Sequence, residues 1–179
     1  MRYDFFNPAL FKKNRSKLSR KIMPNSLVII NSNDQMPRNG DQYFPFRQNS
    51  NLFYFSGIDQ EKTVFLFCPN HPDEKYREIL FIMEANKEFE IWNGPRYSPQ
   101  EVSDRSGIQT IFYLNQLDNV LHNLMINSEY VYLNLEENIK YYESVPSRDL
   151  RFSTELKKKY PSHKYERLAP VMNSLRTVK

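Results

Sequence analysis

Few side chains in this 179-residue sequence are spaced for chemistry. The three histidines, His71, His122 and His163, stand apart, and none falls in an HxxxH, HExxH or mixed Cys/His spacing that would hold a metal. His71 reads as a turn residue beside Pro72 and Asp73, and His122 as part of an amphipathic helix. The four glycines are scattered, so no Gly-rich phosphate loop is present, and there is no GxSxG nucleophile elbow. Glu136 and Glu137 are adjacent, so their side chains diverge, and the pair reads as a turn rather than an acid/base couple. Two stretches remain unusual. One is Arg47-Gln48-Asn49-Ser50-Asn51-Leu52-Phe53-Tyr54-Phe55-Ser56-Gly57. The other is Glu90-Ile91-Trp92-Asn93-Gly94-Pro95-Arg96. Trp92, the only Trp, precedes a tight turn, where it either packs in the core or stands out as an interface anchor; composition favours the core.

The elements that must carry these stretches follow from periodicity and breakers. Asn7-Pro8 is an N-cap followed by proline at the first helical position, and the helix it opens runs toward Met23-Pro24. Leu27–Ile30 is a short buried strand. A long polar stretch from Asn31 to Ser50 follows, a length of loop that in compact domains is often functional. Leu52–Phe55 is a short helix capped by Asn49 or Asn51, or else a strand. Thr63–Cys68 and Ile79–Met83 read as strands around a His71-Pro72-Asp73 turn, and Glu84–Trp92 as a helical turn or two. Ser98-Pro99-Gln100-Glu101 opens a helix ending at Gly107. Thr110–Leu114 is a strand, and Leu117, Leu121, Leu124 and Met125 share one helix face. Tyr130–Leu135 alternates as a strand, Leu150–Tyr160 is a charged helix stopped by Pro161, Tyr165–Leu168 is an edge strand, and Ala169–Leu175 begins a last helix. Strands alternating with helices predict an α/β domain with a central mixed sheet.

The bulk properties narrow the function classes. The length suits one domain with a core, and 40% hydrophobic residues can build it. No apolar run approaches the ~20 residues a membrane helix needs, and residues 1–15 have no continuous apolar stretch of the secretory kind, so a cytoplasmic protein without a membrane partner is expected. A single cysteine, Cys68, excludes an internal disulfide, and its place after Val64-Phe65-Leu66-Phe67 reads as a buried structural thiol. The net charge of +4 is too mild to argue for nucleic acid. Lys12, Lys13, Arg15, Lys17, Arg20 and Lys21, with Lys157, Lys158 and Lys159, read as solvated helix faces rather than a phosphate-binding patch.

The two unusual stretches, in this order and separation, resemble the amino-terminal domain of Xaa-Pro aminopeptidases (aminopeptidase P). Arg47 to Gly57 matches an Arg-Gln-Asn/Asp-Ser-Asp/Asn-Phe-Tyr motif of that family, with Leu52 interposed before Phe53, and Glu90, Trp92, Gly94 and Arg96 match its Glu-x-Trp-x-Gly-x-Arg motif. Leu168-Ala169-Pro170 and Leu175-Arg176-Thr177-Val178-Lys179 resemble the family's crossing into its catalytic domain. The resemblance implies a ribonuclease-H-like α/β layer with a mixed sheet of about six strands flanked by helices. It implies an accessory domain over 1–170 and, over 171–179, the start of a connection to an absent "pita-bread" peptidase domain. That absent domain would carry two divalent metals, usually manganese, to activate water against the bond preceding proline. This fragment is then expected to hold no metal and no catalytic residue. Its partners would be proline-containing peptides and further copies of itself, as a homodimer or homotetramer.

Three residues are singled out by the resemblance. In some tetrameric members the Trp matching Trp92 reaches a neighbouring subunit's active site. Arg47 and Arg96 either fix their loops through guanidinium hydrogen bonds or face substrate, with loop fixing the preferred reading. A prolidase amino-terminal domain fits the Arg47–Gly57 stretch as well. A single-strand nucleic-acid module is the alternative of another class, and the placement of the aromatics within apolar runs argues against it.

Overall fold

The computed structural model describes residues 4–84, 91, 94–137 and 145–177. Glu90 and Trp92 lie outside the described residues, as do Val178 and Lys179 and most of the helical segment expected between Glu84 and Trp92.

Helix α1 (Pro8–Ser19) begins where the sequence requires it. The Asn7 side chain accepts from the Ala9 N–H at 2.9 Å, and Pro8 supplies a helical φ without an orphan donor. The helix stops at Ser19, short of the expected Met23. Strand β1 (Ser26–Asn31) is followed by the hairpin β2 (Pro37–Asn39) and β3 (Gln42–Tyr43), which occupies part of the expected loop. The ambiguous aromatic run is a helix, α2 (Ser50–Ser56), and Asn49 is its cap, accepting from the Asn51 and Leu52 N–H groups. Strands β4 (Val64–Phe67) and β5 (Glu78–Ile82) flank a short 3-10 turn at Glu74–Tyr76. Helix α3 (Pro99–Ser106) opens on a capping box. The Ser98 hydroxyl accepts from the Glu101 N–H, and the Glu101 carboxylate accepts from the Ser98 N–H at 2.7 Å. The rest of the chain forms β6 (Thr110–Tyr113), α4 (Leu117–Ile126), β7 (Tyr130–Leu133), α5 (Arg148–Lys159), β8 (Lys164–Arg167) and α6 (Leu168–Arg176).

Six strands form one mixed sheet in the order β6-β5-β4-β1-β7-β8. β1, β4 and β5 make an antiparallel meander; β7 and then β8 add in parallel on the β1 side, and β6 adds in parallel to β5. Only β4 therefore runs against the others. This is the mixed sheet flanked by helices, of ribonuclease-H-like type, that the resemblance implied. Helices cover both faces. Val28, Ile30, Phe65 and Leu80 point toward α1, α2, α3 and α6, and their sequence neighbours Leu27, Ile29, Leu66 and Ile79 point toward α4 and α5. Burial on both sides explains why the central strands are continuous apolar runs. It also corrects the alternation expected for β7, where Val131, Tyr132 and Leu133 are all buried.

One expectation about charge is overturned. Lys12, Lys13, Arg20 and Lys21 are exposed, as are Lys157, Lys158 and Lys159, but Arg15 is completely buried. Its Nη1 donates to the Phe55 carbonyl at 2.7 Å and the Ser106 carbonyl at 3.0 Å, and its Nε lies 2.9 Å from Glu78. Phe55 and Ser106 sit in the last turns of α2 and α3, whose terminal carbonyls lack helical partners. These two helices end alike. Ser56 and Ser106 each donate a hydroxyl back to the carbonyl four residues earlier, and Gly57 and Gly107 each take a left-handed φ, +67° and +72°. Their surroundings differ. A Cβ on Gly57 would lie 2.3 Å from the Phe11 ring, whereas one on Gly107 would meet Pro8 at an ordinary 3.5 Å. Both alanine variants carry the left-handed strain, but only Gly57→Ala adds a clash. Gly57→Ala is expected to cost about 2 kcal/mol more stability than Gly107→Ala in urea titrations. Equal losses would mean that Phe11 moves aside freely.

Candidate functional site: a polar cleft at the carboxyl ends of β1 and β7

Two neighbouring parallel strands end in the same way. The apolar run of β1 closes on Asn31, and that of β7 is followed by Asn134, with Ile29 opposite Leu133 in register. At this end of the sheet β1 turns toward β4 on one side while β7 lies on the other, the kind of divergence where open α/β sheets form a crevice. A cleft of about 660 Å³ lies there. The N-terminal turns of α2 and α5 border it with Asn49, Asn51, Ser147, Arg148 and Asp149, and α6 closes a third side with Met172, Asn173 and Arg176. Glu136 and Glu137, read from the sequence as a turn, lie on its rim, where Glu137 pairs with Arg167 of β8.

The centre of the cleft is Asp149, which is almost completely buried. Its Oδ1 accepts from the Asn31 backbone N–H at 2.9 Å and the Asn31 amide at 2.8 Å, and its Oδ2 accepts from the Asn134 amide at 2.6 Å. Burial pushes the carboxyl up to about 6, against the opposing pull of the Asn31 and Asn134 donors and the Arg148 charge. Arg148 donates to the Ser32 hydroxyl at 2.6 Å, and its own pKa is lowered by burial. The network continues outward: the Asn51 amide donates to Asn134 Oδ1 at 2.7 Å, and Arg176 donates to Asn51 Oδ1 at 3.1 Å. The arrangement is therefore mostly neutral amides around one carboxyl, suited to holding polar groups in fixed orientations.

A metal centre does not fit these side chains. Among the described residues no three of His, Cys, Asp or Glu converge, and the Asp149 carboxyl at the centre of the cleft already accepts three hydrogen bonds. The histidines are occupied locally: His122 Nδ1 lies 2.8 Å from the Tyr160 hydroxyl, His163 Nε2 lies 2.7 Å from the Met125 carbonyl, and His71 Nδ1 accepts from the Asp73 N–H. Cys68 is buried, and desolvation raises its thiol pKa.

The residues singled out from the sequence are not gathered at this cleft. Trp92 lies outside the described residues. Arg47 is exposed and lines a second, smaller cleft of about 360 Å³ with Met36, Phe44, Pro45 and Val145; its carbonyl accepts from the Asn33 amide at 3.0 Å. Arg96 is buried at neither cleft and lies 3.0 Å from Glu61. Beside it the Tyr97 N–H donates to Gln60 Oε1 at 2.8 Å, and Gln48 donates to the carbonyls of Ile58 and Gln60. The Arg47–Gly57 motif thus divides its labour. Gln48 ties the loop after α2, Asn49 caps α2, and Asn51 enters the cleft. Asp149 and Asn134 were missed from the sequence. The one signal for the cleft was the repeated ending of apolar strand plus Asn, in Leu-Val-Ile-Ile-Asn31 and Tyr-Val-Tyr-Leu-Asn134.

Fold and cleft together define a helix-covered α/β domain whose described residues bring together a hydrogen-bonding cleft rather than a nucleophile or metal cluster. The sequence profile of the aminopeptidase P N-terminal domain matches residues 11–132, and the chain belongs to that family. It is 25% identical over 122 residues to the Xaa-Pro aminopeptidase of Escherichia coli, an overlap of 68% of this chain and 27% of that protein. It is 29% identical over 108 residues to Xaa-Pro aminopeptidase 3 of Dictyostelium discoideum, covering 60% of this chain and 21% of the relative. The matched segments span about a quarter of the length of these relatives. Among solved structures, a candidate aminopeptidase P from Bacillus anthracis superposes on 97% of this chain and 41% of its own length, with a TM-score of 0.87 and 24% identity. Aminopeptidase P from E. coli with the inhibitor Pro-Leu superposes with a TM-score of 0.78 and 21% identity, over 98% of this chain and 40% of that one. At these identities the superpositions establish a shared fold. Among the described residues, no helix is long and apolar enough to cross a membrane.

Proposed function

We propose that this chain is the non-catalytic amino-terminal domain of a cytoplasmic Xaa-Pro aminopeptidase, an enzyme that releases the first residue of peptides with proline second. In this reading the domain supports assembly into dimers or tetramers and narrows access to the active site. The observation that carries it is the family match over residues 11–132. Hydrolysis, and the two divalent metals, manganese foremost, belong to another domain of the longer protein. Trp92 is the proposed contact to a neighbouring active site, and Arg47 and Arg96 are the proposed supports of the loops around the access path.

The test is a peptidase assay. The isolated chain, given manganese and an Xaa-Pro peptide, is expected to release no free first residue above the blank. Turnover that follows the monodisperse protein through gel filtration would overturn the assignment of a non-catalytic role. In the full-length gene product, Trp92→Ala should weaken kcat/KM for Xaa-Pro peptides, and unchanged kinetics would remove Trp92 from the access path.

A further inference from the structure

The hydrogen bonds through the cleft run in one direction. Arg176 can only donate, and ionised Asp149 can only accept. Between them stand two side-chain amides, each with one donating and one accepting end. Arg176 Nη1 donates to Asn51 Oδ1 at 3.1 Å, Asn51 Nδ2 to Asn134 Oδ1 at 2.7 Å, and Asn134 Nδ2 to Asp149 Oδ2 at 2.6 Å. The ends fix the orientation of both amides, so the chain is polarised from cation to carboxylate, and each bond strengthens the next. It joins four separate parts of the fold: α6, α2, the segment after β7, and the first turn of α5.

We propose that Asp149 works as a proton-operated latch on α6, its ionised carboxylate holding Arg176 through the directed amide chain and its protonated form releasing it. The inference is independent of the peptidase reading. Asp149 Oδ1 is already engaged by two Asn31 donors, which leaves Oδ2 as the oxygen for a proton. A hydroxyl there would face the Asn134 amide donor. Asn134 would have to turn its oxygen toward the acid, and its NH2 would then oppose that of Asn51. Turning Asn51 in response would present an NH2 to the Arg176 guanidinium, and the last link would break. One proton thus reverses the chain and frees its cationic end.

The burial that raises the Asp149 carboxyl to about 6 puts this event within reach of ordinary buffers. Among the described residues, the charged and titratable groups around Asp149 are few. Its own helix supplies Arg148 and the Arg151–Asp34 ion pair, and the segment after β7 supplies Glu136 and Glu137, the latter held by Arg167 of β8. α6 contributes Arg176, whose charge also acts on Tyr54 of α2, and β1 presents only neutral Asn31 at this point. The carboxylates Glu137 and Glu129 are held below the usual range by Arg167 and Lys164 and stay ionised where Asp149 titrates.

Amide hydrogen exchange of the intact chain tests the latch. Protection in the last turn of α6, Met172 to Thr177, is expected to fall about fivefold between about pH 7.5 and about pH 5, with α4 unaffected. Asp149→Asn should show the low value at both pH values. Arg176→Gln changes only an exposed side chain, so it tests the idea even if the Asp149 variant folds poorly. It should lower protection at the higher pH and abolish the pH step. A step that survives in Arg176→Gln would overturn the latch, as would a wild-type chain without any step. The latter is the outcome if Asn31 turns its unpartnered Oδ1 to take the proton locally and leaves the amide chain intact.

Discussion

Arg15→Met is expected to destabilise the fold by about 4 kcal/mol, one of the largest effects available from a residue outside the apolar core. The arginine is wholly buried, and it supplies donors to the final turns of α2 and α3 and a charge to Glu78. Helix carboxyl ends carry partial negative charge, and a guanidinium between two of them is favourably placed for both. Methionine keeps most of the volume, so the loss reports electrostatics and hydrogen bonding rather than a cavity. It would leave two helix carbonyls buried without a donor and a carboxylate, about one-third exposed, without its partner. Arg15→Lys restores the charge but not the planar fork that spans both carbonyls, and it should recover only part of the loss. The measurement is the urea midpoint at constant m-value. A loss below about 1 kcal/mol for Arg15→Met would mean that water replaces the guanidinium at this joint.

The second large effect is a pH dependence with a sign opposite to ordinary acid denaturation. A carboxyl whose folded pKa is raised binds its proton more tightly in the native state than in the unfolded chain. Its contribution to stability is therefore full below the ordinary carboxylate range and is lost as pH rises through the folded value of about 6. The shift from 3.8 to about 6 corresponds to roughly 3 kcal/mol. Glu129 and Glu137 have lowered values and act in the reverse sense, but they are exposed and contribute little. The difference in unfolding free energy between wild type and Asp149→Asn isolates the buried group. It should move by roughly 2.5 kcal/mol in favour of the wild type on going from about pH 7.5 to about pH 4. A flat difference would mean that Asp149 is hydrated in solution. The Asp149 contribution to stability then rises on acidification while the last turn of α6 loosens, a pair of opposite trends that a general acid effect does not produce.

Much of the fold was legible because its signals were local. Asn7-Pro8, Ser98-Pro99-Gln100-Glu101 and Gly107 each specify a helix end through the chemistry of their own side chains, and each acts as expected. The central strands were legible as apolar runs, and the β7 alternation failed because helices cover both faces of that strand. What the sequence hid depends on partners far along the chain. Arg15 looks like any other basic residue of its cluster, and only the carbonyls 40 and 91 residues away reveal it as a buried joint. Asp149 sits in the first turn of a charged helix and becomes a buried acid only because Asn31 and Asn134 arrive beside it. The family resemblance pointed to the Asn49–Asn51 segment, while Arg47 and Arg96 stand at separate places rather than in one site.

The two outer strands of the sheet are unlike. β8 shows solvent Lys164, Glu166 and Arg167, with only Tyr165 partly covered, whereas β6 offers Thr110, Ile111, Phe112 and Tyr113, all half-buried. A row of charges along an unpaired backbone is how proteins keep a foreign strand from zipping onto their sheet. The β8 side is consequently a poor rail for fibril growth or for extending the sheet across two copies. Exposed apolar side chains stand elsewhere, on Tyr43 of β3 and on Phe44 next to it.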